Sequence, residues 1–137
     1  QNYIKAKLQA ALLHLLIEIC ENHLSTKRNN LKQTDSYKQV KTTIRYIRKN
    51  YPNKITLELL SANVYTNKYT LSRNFKAITG QTIIEYINNY RCERAKDFLR
   101  NGLSVNETAI ICGFNNISFF IKTFKNFTGH LPTYYKN

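Results

Sequence analysis

An internal repeat constrains this 137-residue chain more than any other feature. With Thr70 laid over Phe119, an offset of 49, the stretch Thr70-Leu-Ser-Arg-Asn-Phe-Lys-Ala-Ile-Thr-Gly80 falls on Phe119-Phe-Ile-Lys-Thr-Phe-Lys-Asn-Phe-Thr-Gly129. Phe75 and Phe124, Lys76 and Lys125, Thr79 and Thr128, and Gly80 and Gly129 coincide, apolar positions match apolar ones, and Arg73 meets Lys122. Glu58 and Glu107, in the short segments ahead of each copy, fall in the same register. Both copies carry helical spacing of apolar residues and stop at glycine, so the repeat predicts a duplicated helix-turn-helix.

The segments around the repeat read as helices too. Ile4, Leu8, Leu12, Leu15, Leu16 and Ile19 recur at three- and four-residue steps, which predicts one amphipathic helix over residues 2–24. Residues 25–35 are polar and lose all periodicity, as in a linker, so a domain boundary is expected there. Ser36 with Gln39 has the spacing of a capping box and opens a helix with Val40, Ile44 and Ile47 inward. A short helix from Thr56 carries Leu57, Leu59 and Leu60, and a longer one over 67–79 turns Leu71, Phe75 and Ile78 inward. Thr82 with Glu85 opens a connecting helix that runs to Asn101-Gly102. Ser104 with Glu107 opens a short helix ending at Gly113, residues 116–128 form a helix with Phe120, Phe124 and Phe127 inward, and Pro132 starts a final turn. The fold class is therefore all-α: one amphipathic helix (1–24), a linker (25–35), and a domain over 36–137 with helix-turn-helix units at about 56–79 and 105–128. Four Gly and two Pro leave few turns, and 42% hydrophobic residues supply a packed core.

Charge points to a polyanion. The net charge is +13, and residues 36–137 carry sixteen Lys and Arg against five acids. Such an excess on a folded domain fits nucleic acid, where neutralising phosphates releases condensed counterions. Cys20, Cys92 and Cys112 are odd in number and far apart, which argues against a disulfide framework or metal site. No signal peptide is recognisable and no apolar run is long enough for a membrane span, so a reducing, cytoplasmic setting without a membrane partner is expected. The start at Gln1 without Met is that expected of a fragment of a longer chain.

In a helix-turn-helix the second helix enters the major groove, and its outward residues meet the bases. With Leu71, Phe75 and Ile78 inward, the outward set of the first unit is Lys68, Tyr69, Ser72, Arg73 and Lys76. In the second unit it is Ile117, Ser118, Ile121, Lys122 and Lys125, whose isoleucines suit thymine methyls. Arg73 has the fork for a bidentate pair with guanine, whereas Lys76 and Lys125, later in their helices, suit phosphate. A connecting helix of about 18 residues spans about 27 Å, near the ~34 Å between successive major-groove segments on one DNA face.

Several motifs together carry a family resemblance: Ile55-Thr-Leu57, Tyr69-Thr-Leu-Ser-Arg-Asn-Phe-Lys76, Thr79-Gly80, Tyr86-Ile87, Arg91, Ala95, Gly113-Phe114, Ser118-Phe-Phe120, Phe124-Lys125, Gly129, Pro132 and Tyr135. In this order, over about residues 36–137, the chain resembles the AraC/XylS-type transcription regulators of bacteria. The resemblance implies a seven-helix, two-headed domain that binds double-stranded promoter DNA, in most members C-terminal to a sensing or dimerising domain. It also implies base-facing positions at Tyr69, Ser72 and Arg73 and at Ile117, Ser118, Ile121 and Lys122, and a contact with RNA polymerase. Ile117 and Ile121 stand where the family more often has polar residues, and Lys122 where it often has Arg, so the second unit is expected to read fewer hydrogen bonds. The first helix resembles the closing helix of an upstream regulatory domain. Its Leu8, Leu12, Leu15 and Ile19 form either the seam of a homodimer or a face packed on the chain's own upstream domain.

No enzyme site is expected. His14, His23 and His130 are scattered, no glycine-rich phosphate loop occurs, and neither catalytic residue, cofactor nor metal is implied. The competing reading is a helical module whose basic face binds an acidic protein or RNA, with Tyr69, Tyr86 and Tyr90 available for stacking.

Overall fold

The computed structural model describes residues 2–23 and 29–136, with the backbone alone at 21–23 and 29–32. The described residues form α1 (Asn2–His23), α2 (Asn29–Asn50), α3 (Leu57–Asn63), α4 (Lys68–Thr79), α5 (Ile83–Arg100), α6 (Val105–Ile111) and α7 (Ile117–Thr128). A 3-10 turn (Pro132–Tyr135) closes them, and no strand occurs among them.

Two cores form, and α5 belongs to both. Val40 and Ile47 of α2, Leu60 of α3, Leu71 and Phe75 of α4, and Ile83 and Ile87 of α5 make the first. Cys92, Ala95 and Leu99 of α5, Ala109 of α6, and Phe120 and Phe124 of α7 make the second, with Phe114 from the turn between α6 and α7. The α5 helix starts at the capping box that its sequence encodes. Glu85 N donates to Thr82 Oγ1 (3.1 Å) and Thr82 N donates to Glu85 Oε2 (2.8 Å). Ser104 and Glu107 repeat the arrangement at the head of α6, with bonds of 3.0 and 3.1 Å.

The repeated Thr-Gly ends both longer helices in the same way. Thr79 Oγ1 lies 2.7 Å from Phe75 O and 3.0 Å from Gln81 O, and accepts from Gln81 N at 3.2 Å. Thr128 Oγ1 lies 2.8 Å from Phe124 O and 2.9 Å from His130 O, and accepts from His130 N at 3.2 Å. Each hydroxyl thus ties the last turn to the chain beyond the cap, while Gly80 (φ 77°) and Gly129 (φ 82°) take the left-handed conformation that stops the helix.

Three sequence expectations need correcting. First, α2 begins at Asn29, so residues 29–35 of the expected linker are helical, and residues 25–28 lie outside the described residues. Polarity does not break a helix: with neither Gly nor Pro between Asn29 and Tyr51, exposed Gln33, Thr34 and Asp35 simply face outward. Second, Ser36 consequently sits within α2 rather than at its head, and its Oγ accepts from Asn74 Nδ2 (3.2 Å). Third, Glu58 and Glu107 are not equivalent. Glu107 is the third residue of α6 and completes a cap, whereas Glu58 is the second residue of α3 and pairs with Lys68. The connection before α4 (residues 64–67) is one residue shorter than that before α7 (112–116), so a single offset cannot align both parts of each unit.

The helix α1 lies against α4 and α7. Tyr3 Oη donates to Glu93 Oε1 (3.0 Å), and its ring meets Phe127 edge-on with centroids 5.6 Å apart. Beneath it Lys96, 4% exposed, donates from Nζ to Glu93 Oε2 (2.8 Å) and sits 3.6 Å from the centre of the Tyr3 ring. Burial disfavours the ammonium, but Glu93 and Tyr3 together outweigh it and raise the Lys96 pKa, while the Glu93 pKa is lowered against its own burial penalty by Lys96 and Tyr3. A lysine tolerates this depth because a carboxylate and a ring face replace its water. The opposite side of α1 is bare: Ile4, Leu8, Leu12, Leu15, Leu16 and Ile19 are all about half exposed, between 49% and 62%. Among the described residues nothing covers this stripe.

Because Phe124 is fully buried at the centre of the second core, Phe124→Ala is expected to cost about 3–5 kcal/mol, measured by urea denaturation. Thr82→Ala, which removes only a cap, should cost about 1 kcal/mol in the same assay.

Candidate nucleic-acid interface

In each unit a short helix is followed by a turn and a twelve-residue helix whose apolar side is buried. Asn67 and Asn116 set where these longer helices begin. Asn67 Oδ1 accepts from Thr70 N (2.8 Å), and Asn116 Oδ1 accepts from Phe119 N (2.9 Å). The cap fixes the phase of each helix, so once Leu71 and Phe75, or Phe120 and Phe124, are inward, the opposite residues must face out.

In the first unit that outward face holds the five expected residues. Tyr69 is 75% exposed, and Arg73 and Lys76 are exposed beside half-buried Ser72. Ser72, Arg73 and Lys76 line one shallow depression of about 460 Å³ with Thr82 and Ile84 at the head of α5. Lys68 is already engaged: its Nζ donates to Glu58 Oε1 (3.1 Å) and lies 5.5 Å from the centre of the Tyr69 ring. A backbone hydrogen bond at the head of α3, and then Lys68, hold the Glu58 carboxyl below its ordinary pKa.

In the second unit Ile117, Ser118, Lys122 and Lys125 are exposed. Ile121 differs from its expected role as an outward residue, being half-buried against the second core. Its counterpart in the first unit is Ser72, and an isoleucine at that margin gains more by covering the core than by facing water.

Two features of the turns have structural roles that the sequence alone did not assign. Tyr65, 96% exposed, holds φ 56° in the turn between α3 and α4, a conformation that tyrosine rarely adopts. At the matching place in the second unit stands Gly113, with φ 91°. Only that glycine was legible as a turn signal. The second feature is Arg91, half-buried in the middle of α5. Its Nε donates to Tyr51 O (2.8 Å) and its Nη2 to Asn53 O (3.0 Å), in the corner between α2 and α3. Charged neighbours Glu93, Arg94 and Lys96 mask it in the sequence, and its partners are backbone atoms about forty residues away.

The Helix-turn-helix domain family matches residues 60–137, which hold both longer helices. The "Uncharacterized HTH-type transcriptional regulator in cgkA 5'region" of Pseudoalteromonas carrageenovora is 32% identical over 124 residues, covering 85% of this chain and 74% of that protein. The chain belongs to the AraC-type helix-turn-helix family. Another relative of this AraC-type chain is the "Bifunctional transcriptional activator/DNA repair enzyme AdaA" of Bacillus subtilis, 36% identical over 111 residues. That match covers 80% of the AraC-type chain and 52% of AdaA, so the chain spans about half of AdaA's length. The fold is also that of a probable AraC family transcriptional regulator from Rhodopseudomonas palustris, with a TM-score of 0.68 at 23% identity over 72% of this chain and 94% of that one.

Chemically the described surface offers cations and caps rather than a reactive centre. No group of three or more His, Cys, Asp or Glu among the described residues is placed to hold a metal ion, and none of the described helices is long and apolar enough to cross a membrane. Cys92 and Cys112 are fully buried, and burial pushes both thiols up, Cys112 to about 12. Iodoacetamide at about pH 8 should therefore add one group to the folded AraC-type chain, at exposed Cys20, and three after unfolding in guanidinium, counted by mass spectrometry. Two adducts on the folded protein would contradict this placement.

Proposed function

We propose that the protein is a sequence-specific, double-stranded-DNA-binding transcription regulator that inserts α4 and α7 into adjacent major-groove segments of a promoter. The observation that carries this reading is the pair of equally capped, twelve-residue helices, each with a bare outward face, on a chain of net charge +13. The 18-residue α5 between them is about 27 Å long, close to one helical turn of DNA. Membership of a regulator family supports the same reading. In it Arg73 and Tyr69 read bases in the first half-site, Ser72 and Lys68 sit at the margin, and Lys76 meets phosphate. Ile117 and Ser118 face bases in the second half-site, Lys122 supplies one cation without Arg's fork, and Lys125 meets phosphate. Half-buried Ile121 contributes a methyl edge. The role is regulatory rather than enzymatic, carried out in the cytoplasm, with RNA polymerase as a further partner.

We also read the bare stripe of α1 as the seam of a homodimer. Leu8, Leu12, Leu15 and Ile19 lie on one side of a helix whose other side is occupied by the domain, so a second copy can dock without disturbing the Tyr3 seat. Leu8→Lys with Leu12→Lys should convert a dimer to a monomer in sedimentation velocity with unchanged helical content. A wild-type chain that sediments as a monomer at all concentrations would refute the seam.

Selection of bound duplexes from a random pool tests the main reading. Two blocks about one helical turn apart are expected, with affinity falling about 10³–10⁵-fold between 50 and 200 mM salt if ~6–10 phosphates are contacted. Arg73→Ala should relax one position of one block, whereas Lys125→Ala should weaken all duplexes alike and lower the salt slope by about 1. A flat salt response with no enrichment would favour the module for an acidic protein.

A further inference from the structure

The two units share α5, and α1 lies against both α4 and α7. The buried residues of α5 change allegiance between Ile87, in the first core, and Cys92, in the second, and Arg91 stands at that change. Its two hydrogen bonds hold the carbonyls of Tyr51 and Asn53, just past the end of α2, where the helix dipole favours a cation. The same guanidinium lies 5.8 Å from the centre of the Phe114 ring, in the turn that leads into α7. Gly113 closes the joint from the other side. A Cβ there would come within 2.7 Å of Tyr51 O, 3.0 Å of Pro52 O and 3.1 Å of Arg91 Nε, in addition to the strain of its positive φ. One side chain therefore touches the corner before α3, the middle of α5 and the turn before α7. Burial lowers the Arg91 pKa, yet an arginine stays charged throughout any working range.

We propose that the Arg91–Gly113 joint fixes the separation and phase of the two outward helices, and so sets the one spacing between half-sites that the protein accepts. The DNA half of this statement rests on the two-headed reading above, whereas the rigidity of the joint does not. A single α5 helix could bend or rock between two cores that shared no other tie. Beside the contacts of α1 with α4 and α7, the joint adds a tie off the α5 axis, which converts a hinge into a bracket. Each base pair inserted between half-sites rotates one of them by about a tenth of a turn, and a bracket cannot follow that rotation. Arg91 is thus a positioning residue that touches no base.

The test has two arms. Spin labels at Ala77→Cys on α4 and Asn126→Cys on α7, both exposed and equivalent in the repeat, report the distance between units in the free protein after Cys20→Ser. A single narrow distance distribution is expected, broadening to at least about twice its width in Arg91→Gln, and shifting in Gly113→Ala, with helical content unchanged. Arg91→Lys, which reaches one carbonyl, should fall between. If Gly113→Ala does not fold, the two Arg91 variants suffice. Equal widths in wild type and Arg91→Gln would overturn the bracket. In the second arm, the duplex recovered by selection is given insertions and deletions of one and two base pairs between its blocks. Wild type should lose about tenfold or more at each change, and Arg91→Gln should bind the whole series within a few-fold of its own optimum. A uniform loss by Arg91→Gln at every spacing would assign Arg91 a merely structural role. Should wild type select no duplex, the two-headed reading fails while the distance measurement still judges the joint.

Discussion

Everything in this domain depends on α5 dividing its buried face between two cores. Ile83 and Ile87 are inside one cluster, and Cys92, Ala95 and Leu99 are inside the other. Neither cluster is complete without its part of α5, so the units cannot be separated without exposing apolar surface on both sides. Stability and geometry are consequently one matter here: the residues that make the domain fold also tie its two outward helices to the same central helix.

The second organising element is the seat of α1. Lys96 is buried where Glu93 neutralises it and rings cover it, among them Tyr3 from the far end of the chain. That arrangement makes the position of α1 specific rather than adhesive, because a misplaced helix would leave a buried ammonium short of a ring face. One side of α1 is thereby committed to the domain and the other is left apolar and bare.

Much of this was legible in the sequence, where the chemistry is local. Thr82 with Glu85, Ser104 with Glu107, and the two Thr-Gly endings act within a few residues, and each does what its spacing implies. The start of α2 was not legible, because polar residues mark exposure and not helix boundaries. The false pairing of Glu58 with Glu107 came from a turn longer by one residue, which leaves amphipathic spacing intact on either side. Ile121 was read as outward from its register alone, although a residue at the edge of a helix face can turn toward either environment. Arg91 is among the residues that carry the family resemblance, but its structural role was not legible, since a residue whose carbonyl accepts a hydrogen bond leaves no mark in the sequence.

The matched ends of α4 and α7 have a consequence for how such a protein can change. Caps, stops and inward rings are duplicated in both units, while the side chains turned outward differ at almost every equivalent place: Lys68 against Ile117, Tyr69 against Ser118, Ser72 against Ile121. Ile117, Ser118 and Lys122 are exposed and contribute nothing to the second core's buried set. They are free to vary without a stability cost that would hold them in place, and one unit can drift while the other is kept. The duplicated frame thus separates the residues that hold each helix in place from the outward ones that can be rewritten in one unit without disturbing the other.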